Sequence, residues 1–437
     1  MFKKLALLLI GQSLTLASTV AVLDNQVDIH HIKLRDHLWI NHVEKLNNQD
    51  DDNNGFIDDI HGWSFVKNSN QVFDYNDTTV FPSEVYLYYE VRAKKTLGTI
   101  TEAELDWYNK IRKDPEFVEK RKAFSKYSHG SHVTCLAVNT KQMPEELSKE
   151  DLTFIPIQYL GEPTEGAFVK PEFKALEKGS QEQKIAHIES YINKYIIWMI
   201  GKFDVASGYA KDKAQVIHAS WGQGYSTTQK IVDGLFEEQF GESKKTQNQF
   251  EEIKKEISDN FIRGLLKKAT TLIKENKNNL FVFSAGNKKE DTDKELHYPS
   301  SIQLPNVISV AASDQNNEKA YFSNFGKNTV SVFAPGVAVK SCVPGDRELP
   351  INGTSQAAPQ VSALALKVFS LLEKYKLNQN PELVKAIILN TVDKNEALKE
   401  FSVSSGIINS QRAFIATKYL TQLSLKDAIK QAYQDLP

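Results

Sequence analysis

The stretch EIKKEISDNFIRGLLKKATTLIKENKNNLFVFSA, residues 252–285, places a helix-like segment directly before a strand-like run. The second part, LFVFSA at 280–285, is apolar without strict alternation, which is typical of a strand covered on both faces. A helix followed closely by such a strand indicates an α/β unit. In the first part, the apolar residues that share one helical face are Ile253, Ile257, Phe261, Leu265 and Leu266.

Similar short apolar runs, rich in β-branched residues, recur along the chain. Helix-like segments separate several of them, and this alternation predicts an α/β fold with a mainly parallel sheet flanked by helices. The carboxyl ends of such strands lie at one edge of the sheet, where functional residues collect. The runs are TVAVL (19–23), TFIPI (153–157), VIHAS (216–220), LFVFSA (280–285), VISVAA (307–312) and VSVFA (330–334).

The composition is that of an ordinary soluble globular chain: of its 437 residues, 41% are hydrophobic and 25% are charged. The formal net charge of -2 argues against nucleic acid or an anionic membrane as a partner, because both require a concentrated basic excess. The sequence does not indicate an oligomeric state.

Residues 1–17 have the pattern of a secretory signal peptide, since Lys3 and Lys4 precede the apolar run LALLLI and small residues follow around Ala17. A buried first helix is the alternative. No other apolar run approaches the length of about 18 residues that spans a bilayer. We therefore expect a secreted or periplasmic protein without stable membrane insertion.

The rest of the chain is expected to form one domain, residues 18–420, followed by a helical tail at 421–437. Three segments of this domain show neither repeats nor low complexity, and we interpret them as ordered insertions on a common core. A separate second domain is the alternative. The insertions are predicted at about 63–128, 158–200 and 223–250.

Two cysteines, Cys135 and Cys342, are too few for a disulfide scaffold in a chain of this length. We expect two unpaired, buried thiols. One bridge between them is the alternative, which an oxidising compartment would permit.

The segment NGTSQAAPQVSALALKVFSLLEKY, residues 352–375, predicts a buried helix that begins near Ser355, because apolar residues from Val361 onward follow helical spacing. A serine hydroxyl there lies beside unpaired backbone N–H groups and the positive end of the helix dipole, which favours a developing oxyanion. Pro359 lacks the N–H that would bond the Ser355 carbonyl. Taken alone, an N-cap role explains Ser355 better.

The segment SHGSHVTCLAV, residues 128–138, carries His129 and His132 at the start of another predicted helix. Two such side chains suit a metal ion, but neither a Glu nor a third ligand stands at metalloprotease spacing. The other functional interpretation is a general base for Ser355, since an unassisted hydroxyl is a poor nucleophile. A lone histidine at this place is more often structural.

Asp24 follows the predicted strand TVAVL, which places its carboxylate at the functional edge of the sheet. A carboxylate there holds an imidazole in the required tautomer and stabilises the imidazolium. An isolated Asp at a strand end is more often only solvated. The functional interpretation therefore depends on Asp24, His129 and Ser355 occurring together.

The motifs VAVLDNQVD, HGSHV and NGTSQAAP, in the order Asp, His, Ser, resemble those of the subtilisin-like serine protease family, the subtilases. The resemblance implies the subtilisin-like three-layer α/β fold, with a mainly parallel sheet between helices. It covers most of the chain and includes VIHASWG (216–222), LFVFSAGN (280–287), the segment 298–345, NPELVKAIILNTV (380–392) and SGIINSQRAF (405–414).

The resemblance implies a serine endopeptidase in which Ser355 is the nucleophile, His129 the general base and Asp24 the residue that orients His129. It also implies that Asn287 and the Ser355 N–H donate to the oxyanion; a loop-capping Asn is the alternative. His132 matches a histidine that the family does not use as the base. The chain departs from the usual pattern, without losing a catalytic group, at Ser131, Thr134, Cys135 and Gln356.

By the same resemblance, residues 220–222 and 284–286 flank the pocket for the substrate residue before the scissile bond. An extended polypeptide is expected to add to the segment 218–225 as an edge strand. Trp221, where the family often has Leu, predicts crowding of a subsite further upstream and a preference there for small or flexible residues; packing under an insertion is the alternative. The candidate substrate-binding residues are Ser220, Trp221, Gly222, Ser284, Ala285 and Gly286.

The acidic segment NNQDDDNNGFIDDIHGW, residues 47–63, matches the opening of a calcium loop at Asp50, Asp52 and Asn54, but His61 stands where a bidentate Glu is expected. We predict a structural calcium ion there without catalytic duty. A solvated acidic turn is the alternative. The implied chemistry requires no organic cofactor and no catalytic metal.

Two other functions are compatible with part of this pattern. A catalytically silent binding protein on the same fold would have its groove covered by the insertions, but the intact set of catalytic residues argues against it. An esterase of the α/β-hydrolase type is disfavoured, because no G-x-S-x-G surrounds Ser355 and the triad order differs. The expected partners are therefore polypeptide substrates.

Overall fold

The computed structural model describes residues 17–77, 80–161, 163, 168–242 and 248–437. Most of the predicted signal peptide, residues 1–16, lies outside the described residues. In the described part, the helices are α1 (Ser83–Leu97), α2 (Glu102–Ile111), α3 (Pro115–Ala137), α4 (Gln181–Ala210), α5 (Tyr225–Phe240), α6 (Glu251–Glu275), α7 (Thr354–Lys374), α8 (Pro381–Asn390), α9 (Ser410–Tyr419) and α10 (Leu425–Asp435), with short 3-10 turns at Arg35–His37, Lys149–Asp151 and Glu396–Leu398.

The strands of the described chain are β1 (Ser18–Asp24), β2 (Trp63–Ser64), β3 (Leu152–Gln158), β4 (Val216–Ala219), β5 (Gln223–Gly224), β6 (Leu280–Ser284), β7 (His297–Tyr298), β8 (Val307–Ser313), β9 (Val332–Pro335), β10 (Val339–Val343), β11 (Arg347–Ile351), β12 (Asp393–Lys394) and β13 (Gly406–Ile407). Nine of these described strands form one sheet in the order β12-β13-β9-β8-β6-β4-β1-β3-β2. Its pairings are parallel, apart from the antiparallel pair of β12 and β13. Two antiparallel pairs, β10 with β11 and β5 with β7, lie outside it.

Both faces of the sheet are covered. Along β1, Val20 and Val22 pack into a core that includes α7, whereas Ala21 and Leu23 pack on the other face into a core that includes Phe203 of α4. This two-sided burial explains why the strands are continuously apolar in sequence. The six predicted strands all lie in this sheet, and the predicted fold of a mainly parallel sheet between helices is confirmed.

Helix α3, which carries His129, begins at Pro115 and not near Ser128, where the motif SHGSHV predicted its start. Asp114 accepts a hydrogen bond from the N–H of Phe117, and the proline occupies the first turn, so the helix has a regular start signal. The first half of α3 packs with α1, α2 and the β10–β11 hairpin around an aromatic cluster. Its buried members are Val85, Tyr88, Tyr89, Val91, Tyr108, Phe117, Phe124, Val343 and Leu349.

The expectation of two unpaired thiols is wrong, because Cys135 and Cys342 form a disulfide. Helix α3 packs against β10, which brings the two Cα atoms to 5.9 Å, within the range that a disulfide spans. The cysteine that departs from the usual motif at position 135 therefore has a partner 207 residues away.

The C-terminal helix α10 packs on the rest of the chain. Tyr433 donates a hydrogen bond to the Val392 carbonyl at 2.7 Å, and Arg412 of α9 donates to the Leu436 carbonyl at 2.9 Å. Among the described residues, no helix combines the length and the apolar character needed to cross a membrane.

Candidate active site

Asp24 and His129 meet at the carboxyl end of β1. Nδ1 of His129 lies 2.6 Å from Oδ1 of Asp24; the Asp24 side chain is fully buried, and the His129 side chain is 21% exposed. Gly130 permits this approach, because a Cβ at that position would lie 2.5 Å from the Gln26 carbonyl oxygen and 2.6 Å from the Asn25 carbonyl oxygen. A larger residue would push α3 away from the loop and separate the pair.

Opposing effects act on the pKa of His129. Burial favours the neutral imidazole, but the negative charge of Asp24 and its hydrogen bond outweigh burial and raise the pKa above its ordinary value. Because Nδ1 donates to Asp24, Nε2 of the neutral ring is left as the proton acceptor. This is the arrangement of a general base held in one tautomer.

Ser355 lies in the first turn of α7, where the sequence predicted the helix start. Its hydroxyl donates to the Ser220 carbonyl at 3.0 Å, and its own carbonyl accepts from the Ser220 hydroxyl at 3.1 Å. The second bond replaces the usual helical hydrogen bond to the Ser355 carbonyl, which Pro359 cannot donate because it has no backbone N–H. Because the Ser355 hydroxyl has one hydrogen, it donates to one acceptor at a time, and in this structure that acceptor is the Ser220 carbonyl.

His218 belongs to the same hydrogen-bond chain and was not predicted from the sequence. This fully buried residue of β4 has Nε2 2.8 Å from Oγ of Ser220 and Nδ1 2.9 Å from Oγ of Ser362 in α7. Burial, and secondarily the His129 charge, lower the pKa of His218 to about 3, so the ring stays neutral near neutral pH. A polar residue inside an apolar strand was its signal in the sequence.

Asn287 follows β6 and contacts the N-terminus of α7. Its Oδ1 accepts from the backbone N–H of Thr354 at 2.9 Å and from the Thr354 hydroxyl at 3.1 Å. Oγ1 of Thr354 in turn accepts from the N–H of Gly286 at 3.2 Å. Since Thr354 holds the oxygen end of the amide, the NH2 end of this exposed residue is presented as a donor.

The two segments predicted to bind substrate, 220–222 and 284–286, continue from the neighbouring strands β4 and β6. Trp221, in the first of these segments, packs against the core: its indole stacks on Tyr159, at the start of the 158–200 segment, with ring centroids 4.7 Å apart, and donates from Nε1 to the Leu23 carbonyl at 2.7 Å. The ring is half-buried, so its indole contributes to packing under that segment.

His132, the second histidine of the motif, joins α3 to β11. Its Nε2 lies 3.0 Å from the Leu349 carbonyl oxygen, and burial lowers its pKa to about 4. It lies on α3 one turn from His129, and its contact is with the hairpin.

The acidic loop brings Asp52 together with two carboxylates that were not among the predicted calcium ligands, Glu44 and Asp59. One oxygen atom of each lies within 4.8 Å of the others. Burial raises the pKa of Asp59, although hydrogen bonds from neighbouring side chains and the Lys213 charge oppose this. Such oxygen donors suit a hard divalent cation.

The other two predicted calcium ligands have contacts within the turn. Asp50 accepts from the backbone N–H groups of Asn54 at 3.0 Å and Gly55 at 2.8 Å. The Asn54 amide donates to Asp52 at 3.0 Å and to Asp59 at 3.1 Å. The turn thereby supports the carboxylates of the cluster.

The sequence pattern of the subtilase family matches residues 17–407. The chain belongs to the subtilase family. It is 30% identical to subtilisin-like protease 2 of Plasmodium falciparum over 141 residues, a match that covers 32% of this chain and 10% of that protein. It is 36% identical over 121 residues to subtilisin BL of Lederbergia lenta, which covers 26% of this chain and 41% of that protein. The matches thus span less than half the length of either relative.

Solved structures with a similar arrangement include the epidermin leader peptide processing serine protease of Staphylococcus aureus, with a TM-score of 0.47 and 16% identity over 93% of this subtilase and 77% of that chain. The PatG macrocyclase in complex with peptide has a TM-score of 0.48 and 13% identity over 91% of each chain.

Proposed function

We propose that this subtilase is a serine endopeptidase that hydrolyses polypeptides with Asp24, His129 and Ser355 as its triad. The observation that carries the proposal is the 2.6 Å contact between Nδ1 of His129 and the buried Asp24 carboxylate, at the sheet edge where Ser355 lies in the first turn of α7. Membership of the subtilase family supports the same reaction class.

In the proposed reaction, the Ser355 hydroxyl turns from Ser220 toward Nε2 of His129 and attacks the peptide carbonyl carbon. His129 takes the hydroxyl proton and then gives it to the leaving amine. A water molecule then attacks the acyl-enzyme, and His129 takes its proton and returns it to the Ser355 oxygen as the product leaves. Asp24 holds Nδ1–H throughout and stabilises the imidazolium. The raised pKa of His129 is consistent with this role.

The NH2 group of Asn287 and the backbone N–H of Ser355 are the proposed donors to the oxyanion. The support is that Thr354 holds the amide oxygen of Asn287 and so fixes which end of the amide is presented. Loss of one such donor typically costs about 3–4 kcal/mol of transition-state stabilisation.

Cleavage of casein by the wild-type protein and by Ser355→Ala tests this function. Ser370→Ala is the matched control, because Ser370 is a buried serine of the same helix, and its hydroxyl donates a hydrogen bond to Oγ of Ser18 at 2.8 Å. We expect Ser355→Ala to lose cleavage and Ser370→Ala to retain it. Equal cleavage by the wild-type protein and Ser355→Ala contradicts the proposal.

Export of the chain through residues 1–17, leaving a domain at 18–420 and a tail at 421–437, is a further proposal that rests on the N-terminal sequence pattern. N-terminal sequencing of protein recovered outside the cytoplasm tests it. A start near Ser18 is expected, and a start at Met1 contradicts cleavage.

A structural calcium ion is proposed at the acidic loop, bound by the cluster of Asp52 with Glu44 and Asp59. Asp50 and Asn54 then act by holding the turn. The ion would stabilise the loop by balancing three buried or half-buried carboxylates, and it has no role in the reaction.

A further inference from the structure

His297 lies between the two backbone segments that flank the proposed pocket for the substrate residue before the scissile bond. It belongs to β7, where it pairs with Gly224 of β5. Successive side chains of a strand point to opposite sides. Because the neighbouring Tyr298 is fully buried in the core, the imidazole of His297 turns the other way, toward Gly222 and Gly286.

Both glycines contact the imidazole ring. A Cβ at Gly222 would lie 2.3 Å from Cε1 and 3.0 Å from Nε2 of His297, and a Cβ at Gly286 would lie 2.9 Å from Nε2 and 3.0 Å from Cδ2. The ring edge therefore occupies the space between the segments, on the side where either residue would otherwise carry a side chain.

The imidazole is held in this place. Its Nδ1 lies 2.8 Å from Oγ of Ser300, and the residue is 5% exposed. Two more buried polar side chains lie nearby: a Cβ at Gly286 would lie 2.5 Å from Nδ2 of Asn324, and a Cβ at Gly224, the strand partner of His297, would lie 2.7 Å from Oε2 of Glu290. The ring is enclosed by occupied space and has little room to move aside.

We infer that His297 closes the pocket for the residue before the scissile bond and restricts it to Gly, Ala and Ser. This inference rests on the proposed endopeptidase function. A larger substrate side chain would collide with the enclosed imidazole, whereas a small one fits above it. Discrimination by about 10-fold to 200-fold is the usual effect of a methylene or more that a pocket cannot accommodate.

A series of peptides that differ only at this residue, with Ala, Leu or Phe, tests the inference through kcat/KM. We expect the wild-type protein to prefer Ala over Phe by about tenfold or more, and His297→Gly to raise cleavage at Phe by a similar factor while cleavage at Ala changes little. His42→Ala is the matched control, since His42 is exposed and lies outside the proposed site. It should keep the wild-type profile.

A wild-type protein that prefers Phe, or a folded His297→Gly with the wild-type profile, overturns the inference. Thermal melting shows whether His297→Gly is folded. If it is not folded, the peptide preferences of His297→Ala and of the wild-type protein decide the question. Failure of the proposed function is distinguishable, because a wild-type protein that is not labelled by a fluorophosphonate and cleaves no peptide contradicts the endopeptidase itself. Labelling together with a preference for Phe contradicts only the role of His297.

Discussion

Replacing Asp24 with Asn removes a charge beside His129 and leaves most hydrogen bonds in place. Oδ1 of Asp24 accepts from Nδ1 of His129 at 2.6 Å and from the N–H of Asn25 at 2.7 Å, so an amide oxygen can keep both bonds. The amide NH2 then replaces Oδ2, which is buried and has no hydrogen-bond partner among the described residues. The variant therefore isolates the effect of the charge.

The attraction of opposite charges about 4 Å apart is about 4 kcal/mol at an effective dielectric constant of about 20. Because about 1.4 kcal/mol corresponds to a factor of ten, kcat should fall by about a thousandfold in Asp24→Asn. The pKa of His129 should fall as well, since burial lowers it and the Asp24 charge no longer opposes this. Because His129 then stays neutral down to a lower pH, the acidic limb of the kcat/KM profile moves to lower pH.

Steady-state kinetics on one peptide across the acidic and neutral range measures both effects. Asp28→Asn is the matched control, because Asp28 is a buried carboxylate that accepts from the Tyr75 hydroxyl at 3.0 Å and from the N–H of Gly345 at 3.1 Å. An acidic limb that stays in place, or a loss of kcat below tenfold, would refute the reasoning.

Three further changes test other parts of the structure. Replacing both Cys135 and Cys342 with Ser should lower the free energy of unfolding by about 5 kcal/mol in the chain-entropy description of a loop this long, measured by urea denaturation; equal stability contradicts it. His218→Ala should lower kcat about tenfold with KM unchanged, because it removes the partner of Ser220; a change in KM alone argues against a positioning role. Calcium should raise the melting midpoint relative to chelator in the wild-type protein and not in Asp59→Asn; identical wild-type midpoints rule out the ion.

The sheet was predictable because its strands are buried on both faces and carry that burial as continuous apolar runs. The pairs β5–β7 and β10–β11 were not predicted. The strands β5 and β7 have two residues each, too few to show periodicity, and they pair only because distant segments meet. The position of His297 and the disulfide of Cys135 with Cys342 depend on the same kind of long-range contact.

At the site, the positions of Asp24 at the end of β1 and of Ser355 in the first turn of α7 were predictable because each lies in a short motif, whereas the catalytic roles of Asp24, His129 and Ser355 rest on the family resemblance and stay a prediction. The missing N–H of Pro359 was also predictable, but the hydroxyl of Ser220 that replaces it was not. That contact crosses from β4 to α7, and so does the contact of His218 with Ser362. The spacing of residues within a short motif does not indicate such contacts between distant segments.

Labelling by a fluorophosphonate probe, followed by peptide mapping of the adduct, tests most directly whether Ser355 is an activated nucleophile. The expected result is one adduct on Ser355 in the wild-type protein, none in Ser355→Ala, and strongly reduced labelling in His129→Ala. A folded wild-type protein that carries no adduct, or carries it on a different serine, would contradict the proposed triad.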